Sequence, residues 1–198
     1  MMKRPVHIIL CCVMAVVVLG CASSTPSRFY TLSSTSTPAL VPQANCSVSV
    51  GPISLPSFVN RPQIVIRTGP NQVSIGEFDR WASPLKDDIG RVVVENLISM
   101  LGTTQVTLLS RPAATDASYR VTIDVLCFDS ELGKAAALDA LWTVSSKQDG
   151  QSRRGRVTLT EATQGADYAA LVAAHSRALG KLSAEIADTI RNFEIKKP

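Results

Sequence analysis

A run of twelve apolar residues that stops at a cysteine constrains this chain more than any other feature. Lys3 and Arg4 supply a positive start, residues 8–19 are unbroken apolar sequence, and Val18-Leu19-Gly20-Cys21 resembles the lipobox read by the bacterial lipoprotein signal peptidase. A helix that crosses a bilayer needs about twenty apolar residues, so the run is a cleaved leader and not a span. Leu19 departs slightly from the small or β-branched residue preferred at its position. An ordinary secretory signal and a short buried strand are the competing readings. Cleavage before Cys21 leaves a thiol for acylation, with palmitate the expected kind of chain. The expected organisation is a leader over 1–20, a lipidated tether over 21–45 and one periplasmic domain over 46–198.

The tether reading rests on Ser, Thr and Pro between residues 22 and 45, a composition that buries no core of its own. Fully extended, 24 residues reach at most about 80 Å. Phe29-Tyr30-Thr31-Leu32 interrupts the polar stretch and is a candidate for packing on the body. The 198 residues carry a formal charge of +4, and loss of Lys3 and Arg4 leaves 18 basic against 16 acidic side chains. A net +2 argues against nucleic acid as a partner. Of the five cysteines, Cys11 and Cys12 belong to the leader and Cys21 takes the lipid. Cys46 and Cys127 remain, either as one disulfide of an exported domain or as two separate buried thiols.

From Cys46 onward the periodicity alternates between strand and helix. Residues 47–54 read as a strand whose regular part closes at Gly51-Pro52. Residues 63–67 and 72–77 form a strand pair across Thr68-Gly69-Pro70-Asn71. Ser83-Pro84 reads as an N-cap followed by proline at the first helical position. Leu85, Ile89, Val92, Val93, Leu97 and Leu101 then recur at helical spacing, with Gly102 as the stop. Asp87 and Asp88 suit the positive end of that helix. Residues 105–109 and 119–128 read as strands, the second with Val121, Ile123, Val125 and Cys127 on one face. Leu138, Ala140, Trp142 and Val144 lead to Asp149-Gly150, a two-residue hairpin signal, and Val157 and Leu159 return. A last stripe runs from Tyr168 through Leu171, His175, Leu179, Leu182, Ile186 and Ile190 to Phe193. The fold class is mixed α/β, with two amphipathic helices covering a sheet.

Chemistry is sparse. His175 is the sole histidine after the leader, and at the border of an apolar stripe it reads as a packing residue. No His, Cys, Asp or Glu group has metal-ligand spacing, and there is no phosphate loop or nucleophile elbow. Neither a metal, a cofactor nor a catalytic residue is expected. Arg153, Arg154 and Arg156 form a basic cluster after the hairpin, either a solvated strand edge or a contact for anionic head groups or an acidic partner. Trp81 stands before the first helix as a core residue or as the plug of a pocket.

Three segments carry a resemblance: Gly51-Pro52-Ile53-Ser54-Leu55-Pro56, Asn60-Arg61-Pro62-Gln63-Ile64-Val65 and Arg80-Trp81-Ala82-Ser83-Pro84-Leu85. With Phe29-Tyr30-Thr31-Leu32 and Leu182-Ser183-Ala184-Glu185-Ile186-Ala187, they make the chain similar to the PqiC family, the auxiliary lipoproteins of MCE-type and ABC-type lipid transport systems. The resemblance implies a three-layer, anticodon-binding-domain-like fold with a mixed sheet flanked by the two helices. It implies an outer-membrane lipoprotein facing the periplasm and a homo-oligomeric ring around an MCE-domain protein that spans the periplasm. Ala22 after the lipid cysteine fits release to the outer membrane. Arg61, Gln63 and Trp81 are the matched positions, either partner-binding or fold-setting, and the family pattern lends no support to a disulfide. The expected role is a non-enzymatic subunit that docks or completes a lipid conduit and supports membrane integrity. The alternative is a stand-alone lipid- or solute-binding lipoprotein, and an envelope hydrolase with an unrecognised serine and base is a third class.

Overall fold

The computed structural model describes residues 25–36, 46–110 and 116–195. The leader and Cys21 lie outside these residues. Among the described residues, eight strands and two long helices form a mixed α/β fold: β1 (Arg28–Tyr30), β2 (Val48–Ser54), β3 (Gln63–Gly69), β4 (Gln72–Trp81), α1 (Leu85–Leu101), β5 (Val106–Leu108), β6 (Tyr119–Glu131), β7 (Ala135–Ser146), β8 (Ser152–Ala162) and α2 (Tyr168–Ile195). The strands divide into two sheets. One has the order β5-β2-β6-β7-β8, with β2 parallel to both neighbours and β6–β8 an antiparallel meander. The other has the order β1-β4-β3, with β1 parallel to β4.

Both helices lie on one face of the larger sheet, α1 over β2 and β5 and α2 over β6, β7 and β8. Their stripes (Ile89, Val93 and Leu97; Leu171, Leu179, Leu182, Ile186 and Ile190) meet Val48, Val50, Val121, Ile123, Leu138 and Val144 in one buried core. Burial of a Val, Leu or Ile side chain is worth about 1.5–3 kcal/mol, which makes this face the main source of stability. The smaller sheet packs against the second half of β6, beyond the point where β2 leaves it. Arg67 there binds Asp129 at 2.6 and 2.9 Å, and Trp81 meets Phe128 edge-on at 6.3 Å.

Local details depart from the pattern where the backbone does. β2 continues to Ser54 through a register shift between Val50 and Ile53, and Gly51-Pro52 sits in that irregularity, where a strand tolerates proline. α1 begins at Leu85 with Pro84 as its cap residue and no side-chain cap, so Ser83 does not serve as one. Gly102 ends α1 in the left-handed conformation and returns its N–H to the Ile98 carbonyl at 3.0 Å. The β7–β8 loop is longer than two residues: Ser145 and Ser152 are the last pair, and the Ser146 N–H reaches the Gln151 carbonyl.

A disulfide between Cys46 and Cys127 is ruled out by register. Val48 lies opposite Tyr119 in the parallel β2–β6 pair, which puts Cys127 on the order of 30 Å along the strand from Cys46. A bridge needs Cα atoms within about 7 Å. Cys127 also leaves the apolar face, because β6 carries an extra residue between Val125 and Cys127 relative to β7. Beyond this bulge Phe128 and Ser130 point to the core, and Cys127 points away. Burial and the neighbouring Asp129 push its thiol pKa up, so it is no activated nucleophile.

Candidate functional site

The N-terminal segment is held to the body by groups whose sequence signal is faint. On β1, alternate residues face opposite ways. Arg28 and Tyr30 turn inward onto Asp79: the guanidinium donates to both carboxylate oxygens at 2.8 Å, and the Tyr30 hydroxyl donates at 2.9 Å. Asp79 raises the Arg28 pKa, and burial together with Asp79 raises that of Tyr30, which keeps the phenol protonated. Tyr30 also packs on Tyr168 at the start of α2, ring centroids 5.9 Å apart.

Past β1 the chain runs between the helices as a strap. The Leu32 N–H donates to the buried Asp88 carboxylate at 2.7 Å, and Arg91 bridges the same carboxylate and the Leu32 carbonyl, each at 2.6 Å. About two turns on, the buried Asn96 accepts from the Ser34 hydroxyl at 2.7 Å and from the Thr35 N–H at 3.2 Å, while its amide donates to Ser183 on α2. Ser176 accepts the Ser33 N–H. Thr35 fits against Gly180, where a Cβ would lie 2.3 Å from the threonine oxygen. Residues 28–35 therefore belong to the folded body, so about a third of the expected tether is bound down. Asp88 has a second duty beyond the helix dipole; Asn96, Ser176 and Gly180 were not singled out from the sequence, and Ser183 entered only as part of the Leu182–Ala187 segment. Their available signal was small and polar residues at helical spacing on the apolar stripes.

Arg61, Gln63 and Trp81 do converge. Arg61 donates to the Gln63 side chain at 3.3 Å, Gln63 pairs with Arg80 across β3 and β4, and the Trp81 N–H donates to the Pro62 carbonyl at 2.8 Å. Trp81 is 5% exposed at the end of β4, so the core reading holds, yet it also lines a hollow of about 350 Å³ with Arg61, Pro62, Pro84 and Leu85. A second hollow of about 460 Å³ lies between Gly51-Pro52, Lys86 and Leu108. Both are open clefts.

Arg153, Arg154 and Arg156 sit on β8, an edge strand of the larger sheet, but alternation divides them. Arg153 stacks over Phe193 on the helix side at 4.9 Å, while Arg156 forms a bidentate pair with Asp139 on the open face. They do not make a single patch. His175 is fully buried, stacked on Phe128 at 3.9 Å, with Nε2 bonded to Ser130 Oγ at 2.8 Å. Burial lowers its pKa to about 3, so the imidazole is neutral. The Ser130–His175 pair has the spacing of a nucleophile and its base, but both groups are sealed in the core where no substrate reaches. No group of three or more metal-ligating side chains occurs among the described residues, and no helix among them is long and apolar enough to cross a membrane.

The sequence profile of the ABC-type transport auxiliary lipoprotein components matches residues 30–187, beginning within β1 and ending in α2. The chain belongs to this family. Among solved structures, a crystal structure of an uncharacterized protein shares 23% identity at a TM-score of 0.69, over 84% of this chain and 99% of the other. A Xanthomonas campestris protein with the family name DUF330 shares 21% identity at a TM-score of 0.65, over 81% of this chain and 92% of its own. No curated protein matches the chain. These likenesses support the fold, and the family is one of transport auxiliary lipoproteins and not of enzymes.

Proposed function

We propose that this transport auxiliary lipoprotein is of the PqiC type: an outer-membrane subunit, lipidated on Cys21, that docks or completes an MCE-type lipid conduit without catalysing a reaction. The observation that carries this reading is the strap. A lipid carrier that shuttles needs a long free leash, whereas this chain is tied down from Arg28 to Thr35. Fully extended, the stretch from Cys21 to Arg28 reaches at most about 25 Å, a third of what an unbound tether would allow. A folded domain on so short a lead serves as a fixed fitting at the membrane. The residues shared with the PqiC family support the MCE partner and the homo-oligomeric ring.

Affinity isolation of the lipidated protein from membranes tests the reading. Co-isolation of a periplasm-spanning MCE-domain protein, with the Cys21→Ser mature chain forming a discrete oligomer by mass, is the expected result. A strict monomer that carries bound lipid and brings down no MCE-domain protein overturns it in favour of a stand-alone lipid-binding lipoprotein.

A further inference from the structure

We propose that the outer face of the three-stranded sheet rests on the bilayer that holds the protein's own anchor, with anionic phospholipid head groups as its counterpart. The inference rests on the reading of Cys21 as the lipidated residue. Alternation on β1 and β4 puts Arg28 and Tyr30 on the side of Asp79 and Trp81, the Arg28 side chain itself 64% exposed, and leaves Phe29, Phe78 and the half-buried Arg80 on the other. Phe29 and Arg80 are direct partners in the parallel pair, so they lie side by side, and Gln63 is the partner of Arg80 on its other flank. Arg61 reaches this face through its bond to Gln63.

The composition of the face is that of an interfacial surface. Phe29 is 64% exposed and Phe78 is 38% exposed. Phenylalanine beside arginine suits an interfacial surface, the ring entering the boundary between head groups and acyl chains and the cation meeting the phosphates. Arg28, Arg67, Arg91, Arg156, Arg177 and Arg191 each pair with a carboxylate, whereas Arg120, Arg153 and Arg154 on the larger sheet do not among the described residues. Arg61 and Arg80 form no ion pair among the described residues. Arg80 donates to the Glu77 backbone carbonyl and not to its carboxylate, and Asp79 is turned inward onto Arg28. Two uncompensated cations beside two exposed phenylalanines match a phosphate-bearing apolar layer. Position agrees with composition: Phe29 follows the lipidated residue by eight positions, so chain length alone holds this face within about 30 Å of the membrane.

Two measurements decide the matter. The lipidated full-length protein carrying Phe29→Trp is reconstituted in phosphatidylethanolamine–phosphatidylglycerol vesicles with brominated acyl chains. The added emission should be quenched, whereas that of Leu126→Trp, on the larger sheet, should not. No quenching at position 29, equal quenching at both, or shielding of position 29 by protein concentration without vesicles overturns the proposal. Separately, the Cys21→Ser mature chain should sediment weakly with phosphatidylglycerol vesicles, about fivefold less for each of Arg61→Ser and Arg80→Ser, and less with added salt. Binding unchanged by these substitutions also overturns it. Lipid labelling that persists in Cys21→Ser defeats the anchor reading instead, and the vesicle arm still reports on the face itself.

Discussion

β1 borders two regions that treat polar groups in opposite ways. Inside, in the seam between α1 and α2, Asp88, Asn96, Ser176 and Ser183 are buried and bonded, chiefly to the backbone and side chains of residues 31–35. Outside, Arg61 and Arg80 form no ion pair among the described residues, Phe29 is largely exposed and Phe78 is partly so. Buried polar groups left unmatched cost about 1–3 kcal/mol each, so the inner set is fixed by folding. Exposed groups carry no such penalty, and their composition is open to selection by what lies outside the chain. The difference separates residues that hold the strap from residues that are available to a partner.

The comparison breaks most visibly at Asp88. Asp88→Ala removes the acceptor of the Leu32 N–H and the buried partner of Arg91, and should cost about 3 kcal/mol in urea unfolding. It should also expose residues 31–35 to hydrogen exchange before global unfolding. A loss below about 1 kcal/mol with the strap still protected would show that apolar contacts hold it without the carboxylate. Gly180→Ala attacks the same seam by volume. Its methyl group cannot coexist with Thr35 in place, so about 2–3 kcal/mol and strap release are expected, with α2 intact by circular dichroism. Retained strap protection in this variant would mean that the helices separate to admit the group.

His175 extends the comparison by pH, since it is buried on the sheet side of α2 against Phe128 and Ser130. Its folded pKa of about 3 is below the unfolded value of about 6.5. The unfolded chain therefore takes up a proton first as pH falls. The stability from keeping this imidazole neutral is present above pH 6.5 and is lost progressively toward pH 3. Asp129 is the carboxylate that opposes the shift, and it does not cancel the effect of burial. Between pH 7 and pH 5 the loss should be about 2 kcal/mol, visible as a lower urea midpoint. His175→Gln keeps a polar partner for Ser130 and should flatten that slope; an unchanged slope would assign the acid sensitivity to other groups.

How much of this was legible in the sequence follows the same division. Both helices, the β3–β4 pair and the meander were readable because their apolar residues recur at 3.6 or 2. The phase of β6 was not, since a single extra residue near Leu126 turns Cys127 off the apolar face without altering composition. The strap was half visible: Phe29-Tyr30-Thr31-Leu32 marked a packing segment, but its partners Asp88 and Asn96 lie some sixty residues away and their role depends on tertiary contact. Arg61, Gln63 and Trp81 were picked out as a motif, and their meeting place was fixed only by strand register. Trp81 and Arg80 are adjacent in sequence yet face opposite sides, which divides one motif between core and surface.

The smallest expected effect tests that division most directly. Phe78→Ser and Arg80→Ser alter exposed or half-exposed side chains with no ion pair among the described residues, and surface changes of this kind usually stay within about 0.5 kcal/mol. The Arg80 bond to the Glu77 carbonyl is 3.2 Å long and lies at the surface, where water replaces it readily. Both variants should therefore unfold at the wild-type urea midpoint while Asp88→Ala does not. If Phe78→Ser instead costs as much as a seam substitution, the ring is part of the core and the outer face is smaller than its exposure implies. Unchanged stability together with altered vesicle binding would assign the face to an external partner, because a residue that the fold does not need then has a measurable effect only outside it.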